Sequence, residues 1–268
     1  MEADRENKLA HLQGLLRLYP KVAIAFSGGV DSSLLLRVAC DTLGPEKVTA
    51  LHAVSCLIPE SDQIKAARLV TGRDGIGCLY QAVKIYPLRW RDFVANSEQR
   101  CYFCKKRLYR ALQSELKHDD VPRPLLDGTN SDDLQAHRPG LLAIHELSVG
   151  TPLAQAQLCK DDVRALARKM GLSNWNQPSN SCLATRIPLH HKITKPLLER
   201  IAKAEGFLQN RGLRGCRVRP LADTVTVQVL SDDRDQCVDE SARLAITGYL
   251  QGLGFGTVLL DISSPDRP

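Results

Sequence analysis

The stretch Lys21-Val22-Ala23-Ile24-Ala25-Phe26-Ser27-Gly28-Gly29-Val30-Asp31-Ser32-Ser33 decides how the whole chain is read. Its first six residues are a short apolar run, the length of a buried strand, and it stops abruptly at Ser27-Gly28-Gly29. From Asp31 the pattern SSLLLRVACDTL turns helical and ends at Gly44-Pro45, a good stop signal. Glycines between a strand and a helix let the backbone turn sharply and approach a ligand without Cβ interference. Backbone N–H groups, two serine hydroxyls and the positive helix end then converge on one place, which makes an anion site. No Gly-Lys-Ser/Thr follows, so this is not the Walker loop that grips β- and γ-phosphates. An ordinary glycine turn capped by Asp31 needs only the two glycines. The full string SGGVDS behind a buried strand is more specific than that.

Working outward, Lys47 to Ser55 reads as a second strand, Ser61 to Thr71 as a helix and Gly77 to Val83 as a third strand. Arg91 to Lys117 is mostly helical with a break near Arg100, and Pro124 to Asp127 is a buried strand. Leu158 to Met170 spaces Val163, Leu166, Ala167 and Met170 as a helix closed by Gly171. Strands alternating with helices imply an α/β fold, a parallel Rossmann-like sheet with ligands at the carboxyl ends of its strands. After Pro188 the texture changes: helix (Lys195 to Arg211), strands (Gly215 to Arg219, Thr224 to Leu230), helix (Asp235 to Gln251) and a last strand (Thr257 to Ile262). We therefore expect residues 1–188 to form the sheet domain and 189–268 a small α+β domain.

The chain has 268 residues, 43% hydrophobic and 25% charged, an ordinary soluble composition. No apolar run approaches the roughly 20 residues of a membrane span, and the amino terminus lacks a signal-peptide pattern. A cytoplasmic protein with no membrane partner is expected. The net charge of +6 suits anionic ligands, but the basic residues are scattered and aromatics make up only 5%, so no stable nucleic-acid partner is expected. Nine cysteines, an odd number, argue for thiols or cluster ligands over a disulfide framework. Cys40, Cys56, Cys78, Cys159, Cys216 and Cys237 lie singly among apolar neighbours and read as small buried or partly buried residues.

Four further segments carry chemistry. Arg100-Cys101-Tyr102-Phe103-Cys104-Lys105 is a C-x-x-C beside basic residues. Asp127-Gly128-Thr129-Asn130-Ser131-Asp132-Asp133, followed by Arg138, begins at a strand end. There Asp132 and Asp133 are candidate Mg²⁺ ligands, although a helix cap after Asn130 explains them almost as well. Arg138 and Lys160 are candidates to neutralise phosphate. Pro178 to Pro188 contains Asn180-Ser181-Cys182-Leu183-Ala184-Thr185-Arg186, a polar loop with a cysteine that Arg186 would keep ionised. Arg217 and Arg219 alternate on a strand-like stretch and share one face, which a solvated strand face also explains.

The string SGGVDS resembles the PP-loop of the ATP-pyrophosphatases, and the order of these segments resembles the LarE family from about Lys21 to Leu230. The resemblance implies ATP-Mg²⁺ held by Ser27, Gly28, Gly29, Val30, Asp31, Ser32 and Ser33, with Thr129, Asn130, Arg138, Lys160, Arg186, Arg217 and Arg219 binding nucleotide or substrate. It implies a nucleotide-like carboxylate substrate, pyridinium-3,5-dicarboxylate mononucleotide, that is adenylated and then converted to a thiocarboxylate, and a homo-oligomer. Cys182 would carry the sulfur. It would be sacrificed to dehydroalanine, or it would join Cys101 and Cys104 in holding a [4Fe-4S] cluster. The family's strand glutamate is missing, with Thr226, Gln228 and only Asp223 nearby. A tRNA thiolase, an amidating ligase of the NAD- or GMP-synthetase kind and a non-catalytic ATP sensor are the rival readings.

Overall fold

The structure, a computed structural model, describes residues 2–117, 123–135 and 139–261. In chain order its elements begin with α1 (Glu2–Leu16), β1 (Val22–Phe26), α2 (Val30–Leu43), β2 (Val48–Val54), α3 (Glu60–Thr71) and β3 (Leu79–Lys84). There follow α4 (Arg91–Val94), α5 (Arg100–Ser114), β4 (Leu125–Asp127), α6 (Ser131–Gln135), α7 (Gly140–Glu146), α8 (Pro152–Gln155) and α9 (Lys160–Lys169). The last elements are α10 (Lys195–Asn210), β5 (Arg217–Leu221), β6 (Thr224–Gln228), α11 (Asp235–Val238), α12 (Glu240–Gly252) and β7 (Thr257–Asp261).

Chain contacts divide these elements into two units. The first comprises Met1–Ser55, Glu60–Tyr86 and Gln99–Gln177; the second comprises Cys56–Pro59, Pro87–Glu98 and Pro178–Pro268.

The first unit is the expected α/β fold, built on a four-stranded parallel sheet in the order β3-β2-β1-β4. Central β1 reads as an unbroken apolar run because helices cover both faces, as parallel sheets require. On one face Val22, Ile24 and Phe26 pack with Leu34, Leu35 and Val38 of α2 and Val163 and Leu166 of α9. On the other, Ala23, Leu51 and Leu125 meet Tyr109 and Leu112 of α5 and Ile144 of α7. Chain order reverses between β1 and β4: β2 and β3 lie to one side of β1, β4 to the other. The loops leaving β1 and β4 therefore meet at the sheet's switch point, the usual ligand position in such sheets.

The second unit has the sheet β5-β6-β7, with β5 and β6 antiparallel and β6 and β7 parallel. The crossover from β6 to β7 runs through α11 and α12, which matches the expected βαβ texture. Buried Leu198, Ile201 and Leu208 of α10 and Ile246 and Leu250 of α12 supply helical apolar faces. The first strand is shifted from the expected Gly215 to Arg219 because Gly215 takes a positive φ of 72°.

Two expectations need correction. Helices α7 and α8 were not anticipated, since seven and four residues are too short for helical periodicity to register. Cys56 is exposed rather than buried. It starts the short excursion Cys56–Pro59 into the second unit, where Leu57 fills the interior position. No described helix is long and apolar enough to cross a membrane.

Candidate functional site

At the end of β1 the chain turns through Gly28 at φ 78°, a conformation that favours glycine. Space also demands it: a Cβ on Gly28 would stand 2.5 Å from Ala66 Cβ of α3. The serines then close a small ring of hydrogen bonds. Gly29 N–H donates to Ser27 Oγ (3.3 Å), the Ser27 and Ser32 hydroxyls meet at 3.1 Å, and Ser32 Oγ donates back to Gly29 O (3.0 Å). Gly29 occupies the N-cap of α2, and Ser33 N–H is taken by Gly29 O (3.0 Å). The first-turn N–H groups of Val30, Asp31 and Ser32 have no acceptor among the described residues. Three converging donors at the positive end of a 14-residue helix are an anion cradle.

The loop after β4 lies against this cradle. A Cβ on Gly128 would stand 2.8 Å from Ser32 N and 3.1 Å from the Asp31 carbonyl carbon, so only glycine lets the two backbones approach this closely. Asp127 shapes the loop: one carboxylate oxygen accepts Thr129 N–H (2.8 Å) and the Thr129 hydroxyl, and the other accepts the Tyr109 hydroxyl (2.6 Å). Burial, then the Asp127 charge, pushes the Tyr109 pKa well up, so it stays a neutral donor. Asn130 donates to Asp31 Oδ1 (3.0 Å), and Lys160 Nζ, from the start of α9, reaches Asp31 Oδ2 at 2.5 Å. Thus Ser27 to Ser33, Thr129, Asn130, Asp132 and Lys160 come together at the β1/β4 crevice.

The two aspartates serve helix ends there. Asn130 Oδ1 accepts Asp132 N–H and Asp133 N–H, Asp133 Oδ2 accepts Asn130 N–H (3.2 Å), and Asp132 Oδ2 accepts Lys160 N–H (2.8 Å). The helix-cap account of this acidic pair therefore has direct hydrogen bonds behind it. Arg138 lies outside the described residues.

In the second unit Cys182 is half-buried and precedes a single 3₁₀ turn, Leu183–Arg186. Arg186 lies at 2% exposure and organises the loop from beneath. Its Nε and Nη2 bind both oxygens of Glu205 (2.7 and 3.2 Å), Nη2 also reaches Asn180 Oδ1 (3.0 Å), and Nη1 donates to Ser181 O, Ser181 Oγ and Thr185 Oγ1. All five guanidinium donors are thereby taken up inside the protein. Arg217 and Arg219 alternate with buried Val218 and Pro220, as expected, and both reach the cysteine loop. Arg219 Nη1 donates to Thr185 O (2.9 Å) and Arg217 Nη2 to Ser179 O (3.4 Å). Burial, then repulsion from Arg186, lowers the Arg217 pKa. With Glu205 balancing Arg186, Arg217 and Arg219 leave the thiol-bearing loop a net positive setting.

Cys101 and Cys104 lie near the start of α5, in the first unit, one exposed and one half-buried. Among the described residues no three His, Cys, Asp or Glu side chains gather as a group able to hold a metal ion.

Some residues of the site escaped the sequence reading. Asn174 is buried and donates to Gly28 O (3.0 Å) and Ser33 Oγ (2.9 Å). Its only sequence signal is its place in the polar run after Gly171. Glu205, 3% exposed, could have been noticed as an acid on the apolar stripe Ile201, Ala204, Leu208. Asp162 ties α1 to α9 by accepting from Arg5 and Lys8 while completing the capping box with Cys159.

No family model matches the chain. It is 33% identical over 260 residues to an uncharacterized protein of Synechocystis sp., covering 96% of this chain and 94% of the relative. It is 27% identical over 244 residues to an uncharacterized protein of Methanocaldococcus jannaschii, covering 90% and 89%. Against the pyridinium-3,5-bisthiocarboxylic acid mononucleotide synthase of Lactiplantibacillus plantarum the identity is 31% over 260 residues, 97% of this chain and 92% of that enzyme. At that identity and near-complete coverage, with a glycine-hinged cradle at the sheet's switch point and an arginine-ringed cysteine loop, the chain belongs to the LarE family.

Proposed function

We propose that the chain is an ATP-dependent sulfur transferase acting on a pyridinium dicarboxylate mononucleotide. The observation that carries this reading is the open first turn of α2 behind Gly28 and Gly29, in a chain akin to a synthase of the bisthiocarboxylic acid mononucleotide. ATP-Mg²⁺ binds with its β- and γ-phosphates on the N–H groups of Val30, Asp31 and Ser32 and on the serine hydroxyls. Lys160 turns from Asp31 to the phosphates, and Thr129 and Asn130 line the other wall. A substrate carboxylate oxygen attacks the α-phosphorus, the bond to the β-phosphate oxygen breaks, and pyrophosphate leaves with its charge met by the cradle.

The resulting acyl-adenylate is open to a thiolate. Cys182 Sγ attacks the acyl carbon and AMP departs, leaving a thioester. Loss of the Cys182 Cα proton then breaks the Cβ–Sγ bond, releasing the thiocarboxylate and leaving dehydroalanine. Arg217 and Arg219 hold the substrate phosphate, and Arg186 acts through the loop it braces. In the alternative route Cys101, Cys104 and Cys182 would hold a [4Fe-4S] cluster that supplies the sulfur, and no step here passes through one. Asp132 and Asp133 contribute by holding α6 and α9 in place, and magnesium arrives with the nucleotide. Residues 189–268 would make contacts with substrate and between copies of the chain.

Purified protein should release pyrophosphate from ATP only when the carboxylate acceptor is present, and should lose the mass of H₂S on turnover. Release of ADP and phosphate would contradict the assignment. Retained activity in Cys182→Ala would favour an amidating ligase.

A further inference from the structure

The glycine turn is held from two sides, and one of them has no role in the mechanism above. Ala66 blocks the turn sterically at Gly28. From the other side Asn174, 8% exposed, places its amide nitrogen 3.0 Å from Gly28 O and 2.9 Å from Ser33 Oγ. Gly28 O can only accept, so the side-chain orientation is settled: the nitrogen faces the loop. Both amide hydrogens are then used, and Ser33, fully buried, receives one of them. Asn174 Oδ1 is buried with no hydrogen-bond partner among the described residues. An amide kept at that cost is held for what its nitrogen does.

We propose that Asn174 is a positioning residue of the phosphate loop, which pins the Gly28–Gly29 peptide so that the α2 cradle is preformed before an anion arrives. The inference rests on the reading of Ser27 to Ser33 as the phosphate site. Gly28 at φ 78° has many alternative conformations, and the internal serine ring alone does not tie down its carbonyl. Asn174 ties it to the segment that follows α9, whose first residue, Lys160, grips Asp31. One stretch of chain thus holds the loop at both ends.

The test measures inorganic pyrophosphate binding by calorimetry, and KM and kcat for ATP by pyrophosphate release, in wild type, Asn174→Ala and Asn174→Asp. Asn174→Asp keeps the shape and loses the donation to Gly28 O, so it reports even if the alanine variant folds poorly. Urea unfolding is followed in parallel. A loosened cradle should weaken pyrophosphate binding and raise KM for ATP tenfold or more in both variants, with kcat changed less than threefold. A merely structural asparagine would lower the urea midpoint and leave KM and pyrophosphate affinity within twofold of wild type, which overturns the proposal. Wild type that fails to bind pyrophosphate would instead overturn the phosphate-site reading, and the positioning role with it.

Discussion

Replacing Asp162 by asparagine tests how the first unit holds its functional edge. Asp162 is 5% exposed at the start of α9, where it accepts Arg5 Nε at 3.0 Å, Lys8 Nζ at 2.8 Å, and both the backbone N–H and the thiol of Cys159. Burial alone would raise its pKa, but the hydrogen bonds from Lys8, Cys159 and Arg5 outweigh that and bring it from 3.8 to about 2. A gap of nearly two, at about 1.36 kcal/mol for each unit of pKa, corresponds to roughly 2 kcal/mol of stability. Folding lowers this pKa, so the unfolded chain takes up the proton first as acid is added. The contribution is therefore complete at neutral pH, about half gone at pH 3, and lost as pH falls through about 2. The assay is urea unfolding of Trp90→Phe protein, in which Trp175, stacked under Arg168, is the remaining tryptophan and reports the first unit. Asp162→Asn in that background should be less stable by roughly 2 kcal/mol at pH 7, the difference narrowing towards pH 3. A deficit that stays constant across that range, or one under about 0.5 kcal/mol at pH 7, would refute the reasoning.

Other variants probe the remaining parts of the argument. Cys182→Ala should abolish thiocarboxylate formation while still forming acyl-adenylate, detectable as acceptor-dependent exchange of labelled pyrophosphate into ATP. Gly128→Ala drives a Cβ to 2.8 Å from Ser32 N and should raise KM for ATP at least tenfold, read from initial rates; unchanged KM would mean the β4 loop does not shape the cradle. Glu205→Ala leaves the Arg186 charge buried and unpaired, at a cost of about 3–5 kcal/mol seen as loss of the second unit's cooperative unfolding by Trp90 fluorescence. Arg219→Lys breaks the fork between Thr185 O and Gln228 and should raise KM for the mononucleotide with little change in KM for ATP, measured with each substrate varied in turn.

Much of this was legible in the sequence because it depends on local pattern. The apolar run into Gly28 and the helical spacing from Val30 define β1 and α2 without reference to anything distant. The alternation of Arg217 and Arg219 gives their shared face in the same way. Long-range partners were not legible. Nothing in the string around Asn174 indicates that its amide meets Gly28, 146 residues earlier. Arg186 was expected to face the thiolate or the nucleotide, but its five donors are satisfied by Glu205, Asn180, Ser181 and Thr185, and only the folded loop reveals that. Cys56 sits in an apolar context in sequence yet is exposed, because the chain leaves the first unit at that point and Leu57 takes the interior position. Helices α7 and α8 are too short to display a period and are ordered by packing and turn geometry.

The second unit is assembled from three separated lengths of chain, and this sets a timetable for biosynthesis. Residues 56–59 and 87–98 leave the ribosome long before the stretch that completes them. Asn96, at φ 57° and fully enclosed, donates its amide to Pro188 O and His191 O, the first of these 92 residues downstream, and Leu57 O waits for Leu183 N–H. Until those arrive, Phe93 has Trp90 of its own segment against it, but neither it nor Leu57 has the later stretch that completes its burial. The nascent chain must therefore carry two exposed apolar insertions while residues 99–177 of the first unit are made, and a fragment beginning at Pro178 would start life without part of its own interior.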